Sequence, residues 1–199
     1  MTHTTPNEDL VMIRKIMQDA HQSILADGKP FIAFGIAFAI ATGYTYVAAL
    51  RGEEVGPWIW FGAMIGAGLY LAYDLRQNRN RTENFASKMI GTIWGAAGGA
   101  VAIVATALAF SNAISGEGIM AVISVILGIA YLITGAIYGL AWFRNLGYGW
   151  WAGAIAIAWL HNFHVLGIYL FMIVFFEIVP GVILYRNGKR SNDPTAIRA

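Results

Sequence analysis

Long apolar runs separated by short polar stretches dominate the chain from residue 31 to residue 185. A hydrocarbon core of roughly 30 Å takes about 20 apolar residues in helix. Six segments reach or approach that length: 31–50, 57–75, 89–110, 119–142, 148–161 and 164–185. The pattern predicts an all-α integral membrane protein with six transmembrane helices. Residues 148–185 number 38, about 19 for each of two crossings. The chain must therefore turn sharply near 161–167 or dip into the membrane without crossing it, and a tight hairpin is the expectation.

Ahead of these spans, Thr5-Pro6-Asn7-Glu8 has the order of a helix start, with an N-cap, a proline at the first helical position and a capping-box acid. Leu10, Ile13, Met17, Ala20 and Ile24 then recur at helical spacing, and Gly28-Lys29-Pro30 ends the pattern. The expected organisation is an amphipathic cytoplasmic helix over 1–29, a six-helix bundle over 30–186 and a basic tail over 187–199. The amino-terminal helix would lie on the membrane or the bundle, or dock a partner subunit. No basic region, apolar stretch and small-residue cleavage site follow one another there, so it does not read as a removable signal peptide.

Polar positions set the orientation. Cytoplasmic loops retain Lys and Arg, and six spans would place Arg14, Lys15, Lys29, Arg76, Arg79, Arg81, Lys88, Arg144, Arg186, Lys189, Arg190 and Arg198 on one side, leaving Arg51 of the 13 basic residues on the other. Both termini are then cytoplasmic. Aromatic residues agree with these edges: Trp58, Trp60 and Trp159 fall at the outer interface, and Tyr70, Tyr73, Trp142, Tyr148, Trp150, Trp151 and Tyr185 at the inner one.

Composition sharpens the class. The chain is 58% hydrophobic and 12% charged, against roughly 25% charged in an ordinary soluble domain. With no cysteine among its 199 residues, it has no disulfide, thiolate metal site or cysteine nucleophile. The net charge of +2 reads as membrane orientation rather than as a nucleic-acid footprint, so no nucleic-acid partner is expected. Zincin, phosphate-loop and nucleophile-elbow motifs do not occur, and no soluble domain is present to hold a nucleotide. Enzymatic activity is not expected.

The 23 glycines form ridges. Gly91, Gly95 and Gly99 recur every four residues in the third span with Gly98 beside them, Gly62 and Gly66 do so in the second, and Gly135 and Gly139 in the fourth. Such small-xxx-small ridges let helices approach closely. The third span is accordingly expected at the bundle centre, with an oligomer contact as the alternative.

Glu177 is the one ionisable group inside a span. It lies eight residues before Tyr185, about 12 Å from the inner boundary at 1.5 Å per residue, and intramembrane carboxylates tend to face the bundle interior or a wet cavity. Pro180 three residues later should kink the helix and free the Phe176 carbonyl. A carboxyl there could bind a proton, a cation or a polar substrate group, or rest hydrogen-bonded to Tyr131, Thr134 or Thr92. His161 and His164 would share a helical face and supply two imidazoles to a metal; the alternative is interfacial hydrogen bonding to headgroups or water. Beyond that pair the sequence specifies no cofactor.

Glu8-Asp9-Leu10, Ile13-Arg14 and Ile16-Met17 before a Gly- and Ala-rich first span, with the closing Pro180-Gly181-Val182-Ile183-Leu184-Tyr185-Arg186, resemble small multi-pass bacterial inner-membrane proteins of unassigned function. The resemblance covers about the first 40 and last 20 residues. It implies a bacterial inner-membrane setting and carries no catalytic residue. Three functions follow. The first is a non-catalytic accessory or scaffolding subunit whose partners are the bilayer and other membrane subunits or copies of itself. The second is a small transporter or channel using Glu177, for which the further polar span residues are Thr42, Thr45, Thr92, Thr106, Ser124 and Thr134. The third is a metal- or cofactor-binding subunit using His161 and His164.

Overall fold

A computed structural model describes residues 28–77, 85–111, 113–160 and 162–191, and every regular element among them is helical. In chain order these are α1 (Lys29–Leu50), α2 (Trp58–Gln77), α3 (Phe85–Ser111), α4 (Gly116–Ile137), α5 (Ala141–Trp159), α6 (Val165–Ile173), a π-helical turn (Val174–Ile178) and α7 (Val179–Ser191). The last three run on as one rod. Four stretches are long and apolar enough to cross a membrane: Lys29–Leu50, Lys88–Leu108, Gly116–Ile137 and Val165–Lys189. Helices α2 and α5 have 20 and 19 residues but fall short in apolarity. The amino-terminal helix expected over 1–29 and the tail beyond 191 lie outside the described residues.

The rods begin and end close to the sequence segments, with one correction. The fourth segment was expected to run to Trp142 and the fifth to begin at Tyr148, whereas α4 stops at Ile137 and α5 starts at Ala141. Gly139 causes the break. Its φ of 66° lies in the left-handed region that glycine enters without a Cβ clash. Leu140 N–H donates to Gly135 O (2.9 Å) and Gly139 N–H to Ala136 O (3.3 Å), the bond pair of a Schellman motif. The end of α1 repeats it, with Gly52 at φ 73°, Glu53 N–H on Ala48 O (3.0 Å) and Gly52 N–H on Ala49 O (3.1 Å). Gly139→Ala would place a Cβ in that conformation at about 1–2 kcal/mol, which thermal unfolding in detergent should register as a lowered midpoint. At the other end of α5, Asn162 to His164 turn the chain into α6, so the tight hairpin near 161–167 is present.

Helices α4 and α5 form the closest pair. A Cβ on Gly147 would stand 2.7 Å from Gly128 O and 3.0 Å from Leu132 N, and one on Gly135 would strike the Arg144 backbone. Trp151 lies over Gly128 and donates Nε1–H to Val125 O at 3.2 Å. Next to this pair, Gly149 backs onto Phe176 and Gly153 onto Met172 of the last rod. That rod in turn packs on α1, where Gly181 meets Phe31 and Ile32, and Gly28 lies against the Gly181 carbonyl.

The ridges at Gly62, Gly66, Gly91, Gly95 and Gly99, expected inside the bundle or at an oligomer contact, are open among the described residues. A Cβ built on any of these, or on Gly98, meets no atom of the described residues within 4 Å. Only 6% of the Lys88–Leu108 stretch is buried, against 22% to 39% for the other three apolar stretches. The physical reason is the side-chain layout of α3: Trp94 points inward, donating Nε1–H to Thr134 Oγ1 (3.1 Å) and meeting Phe31 edge-on at 4.8 Å. Helix α3 therefore leans on α4 through a large residue and turns its glycines outward. Helices α2 and α3 touch through Phe61 stacked on Phe110 at 5.4 Å.

Candidate functional site

Bulky aromatics fill the space at the bundle centre. Tyr131 of α4, Phe143 and Trp150 of α5, and Tyr169 of α6 are buried, with Phe31 and Phe176 packed around them. Tyr131 lies 4.8 Å from Phe143 and 6.4 Å from Trp150, and Trp150 lies 6.2 Å from Tyr169 and from Phe176. Trp150 is thus a core residue with 0% exposure, a correction to its expected place at the inner interface. Glycines make the room: Gly147, Gly149 and Gly153 surround Trp150 in sequence and bring neighbouring rods close. That glycine spacing was the available signal.

Against this aromatic block stands the π-helical turn with Glu177. Val179 N–H donates to Val174 O, five residues back. The widening immediately precedes Pro180, whose ring crowds the carbonyl four residues earlier and whose nitrogen carries no proton. The kink expected from Pro180 is taken up as a π turn. Glu177 sits within it, partly buried and directed toward α1, where a Cβ on Gly35 would stand 3.5 Å from Glu177 Cγ.

Hydrogen bonding in this region is incomplete. Tyr131 Oη and Trp150 Nε1 are buried without a partner, and the Glu177 carboxyl makes no hydrogen bond or ion pair among the described residues. The neighbours expected to satisfy Glu177 do not. Thr134 accepts from Trp94, Thr92 donates to Lys88 O at 3.0 Å, and the Tyr131 hydroxyl is itself unpaired. Buried polar groups are ordinarily paired, so the two enclosed orphans, with the partly buried Glu177 carboxyl at the same convergence of α1, α4, α5 and the last rod, mark this as the candidate site.

The other span hydroxyls bond locally. Thr42 donates to Phe38 O (2.7 Å), Thr45 to Ala41 O (2.8 Å), Thr106 to Ala102 O (2.7 Å) and Ser124 to Met120 O (2.8 Å). Each returns its proton to its own helix, as Thr92 does, so these five hydroxyls do not extend a polar path from Glu177.

Sequence comparison gives no relatives. No family model, curated protein or solved structure matches the chain.

His161 lies outside the described residues. His164 is exposed at the start of α6, its N–H donating to Asn162 Oδ1 (3.0 Å), its Nδ1 3.4 Å from Tyr46 Oη and its ring 4.2 Å from Phe163. Among the described residues no three His, Cys, Asp or Glu side chains gather in a metal-binding group. At the opposite end of the bundle, Asp74 is buried and Lys29 Nζ lies 3.6 Å from its Oδ1.

Proposed function

We propose that the protein is a six-span subunit of a bacterial inner membrane, with both termini cytoplasmic, that acts as a non-catalytic accessory or scaffolding element by pairing α3 with another transmembrane helix. The carrying observation is the outward ridge of Gly91, Gly95, Gly98 and Gly99, open for 4 Å around each added Cβ, while the glycines of α4 and α5 are already in contact. Lipid tails are as apolar as the helix, so association in the bilayer draws on close packing and weak Cα–H hydrogen bonds, which a smooth glycine ridge supplies. Six rods with basic residues gathered at one end support the topology, and the resemblance of the two termini supports the bacterial setting.

Because the chain has no cysteine, single-cysteine variants report contacts without background. Ala96→Cys and Gly99→Cys on α3 should form disulfide-linked pairs in the native membrane or crosslink to a co-purifying subunit. Ile36→Cys, on an exposed face of α1, should not. Gly95→Leu should abolish the crosslink. A protein that purifies as a monomer without partners and gives equal crosslinking from α1 and α3 overturns the reading.

Glu177 carries a second reading, a proton- or cation-binding site in a small transporter. Its support is a carboxyl in the π turn that makes no hydrogen bond or ion pair among the described residues. Glu177→Gln should then abolish ion flux in reconstituted vesicles while the fold is kept; unchanged flux removes Glu177 from the mechanism.

A further inference from the structure

A cleft of about 360 Å³ opens between the first turns of α1 and the last turns of α2 and α7, lined by Lys29, Ile32, Ala33, Tyr70 and Tyr185. We propose that it binds the phosphate-bearing headgroup of an anionic phospholipid. The Lys29 ammonium is the central cation. Its side chain is 42% exposed while that of its partner Asp74 is 7% exposed, so the acid lies beneath and holds the lysine at the cleft. An ammonium has three donors, and the carboxylate at 3.6 Å leaves others for a phosphate oxygen. Tyr70 and Tyr185, both partly exposed, face the same space and add two phenolic donors. Ile32 and Ala33 supply an apolar wall suited to the glycerol and the first methylenes of an acyl chain.

The surrounding charge selects an anion. Helices α1, α2 and α7 together carry Lys29, Arg76, Arg186, Lys189 and Arg190 against the single acid Asp74. Of these cations Lys29 lines the cleft, while Arg76 and Arg186 add to the positive field at this end of the bundle without lining it. A basic pocket between transmembrane helices at the positively charged end is a recurrent setting for anionic headgroups. Asp74 is a positioning residue here: it orients Lys29 and does not itself meet the phosphate.

The shared chemistry is an anionic phosphate group, and the source is separated by experiment. Full-length protein in uncharged detergent is stripped of lipid and its thermal midpoint read with added phosphatidylglycerol, phosphatidylcholine, glycerol 3-phosphate or inorganic phosphate. Phosphatidylglycerol should raise the midpoint in a saturable way, and the other three should not. Lys29→Ala removes the ion pair with Asp74 and can unfold the protein, so the deciding variants are Tyr70→Phe and Tyr185→Phe, which change only the two phenolic donors lining the cleft. Their combination should weaken phosphatidylglycerol binding at least tenfold, with the lipid-free midpoint of each variant read alongside. Arg51→Ala, at the far end of α1, should retain the shift. An equal shift from inorganic phosphate overturns the lipid assignment, an equal shift from phosphatidylcholine overturns the anion requirement, and undiminished binding in the double variant or no shift at all overturns the site. The inference rests on the membrane reading and is independent of how α3 associates, since the crosslinking result is unaffected by any of these outcomes.

Discussion

Gly147→Leu should leave little folded protein, whereas Gly95→Leu should fold with the parent's thermal midpoint and lose only its association through α3. Both replace a glycine in an apolar helix by the same side chain, and hydropathy treats them alike. The difference lies in what each Cβ would meet. At Gly147 it meets the Gly128 carbonyl and Leu132 Cγ at 2.7 Å and Leu132 N at 3.0 Å. Two of these atoms are backbone, so relief requires moving α4 away from α5. That motion would pull Trp151 from Gly128, break its bond to Val125 O, and open the layer in which Tyr131, Phe143 and Trp150 pack. Overpacking of a close-fitting core costs roughly 1–3 kcal/mol and more where backbone must shift. A leucine brings three further carbons beyond the Cβ, so the upper end applies. At Gly95 no atom of the described residues lies within 4 Å, so leucine displaces no packed neighbour there. Thermal unfolding in detergent, paired with crosslinking in membranes, separates the two effects. Comparable destabilisation by both substitutions would put α3 back inside the bundle.

The same contrast shows what the sequence made legible. Small-xxx-small spacing marks a smooth helix face and is silent on whether protein or lipid lies opposite it. Gly91, Gly95 and Gly99 have the more regular pattern and yet face outward, because Trp94 on the same helix takes the inward position. Gly128, Gly135 and Gly147 are irregularly placed, and their contacts exist only once α4 and α5 fold back on each other. The rods themselves were readable from apolar length. The turn between α4 and α5 was not, since residues 119–142 are almost continuously apolar and the break depends on the backbone of Gly139 rather than on polarity. Pro180 announced a kink. That the widening falls over Val174–Ile178, and so presents Glu177 toward Gly35, follows from the packing of the last rod on α1. Glu177 itself was conspicuous as a lone carboxyl, while Trp150 was hidden among interfacial aromatics because its burial is a property of three glycines and two neighbouring rods.

Tyr131→Phe and Glu177→Leu should each raise the unfolding midpoint, against the usual direction for substitutions in a packed interior. Tyr131 Oη is fully enclosed and has no partner, and the Glu177 carboxyl has none among the described residues. A buried polar group left unsatisfied costs about 1–3 kcal/mol, and a membrane interior offers no bulk water to recover it. Phenylalanine keeps the ring contacts of Tyr131 with Phe143, Trp94 and Phe31 and removes only the hydroxyl. Leucine at position 177 keeps apolar volume against Gly35 and removes the carboxyl. For a chain of this length each kcal/mol moves the midpoint by roughly 2–4 °C, so a gain of a few degrees is expected from Tyr131→Phe and a smaller one from Glu177→Leu, whose carboxyl is only partly buried. The double variant should be additive within ~0.5 kcal/mol, as for groups without a shared partner. A fall in the midpoint for Tyr131→Phe, with strong coupling to Glu177, would instead mean that the hydroxyl and the carboxyl are bridged by a bound water or ligand whose loss is felt by both. A gain in stability with loss of ion flux would identify the unpaired carboxyl as a group kept for function at the expense of stability, and a gain without such a loss would leave α3 association as the activity of the chain.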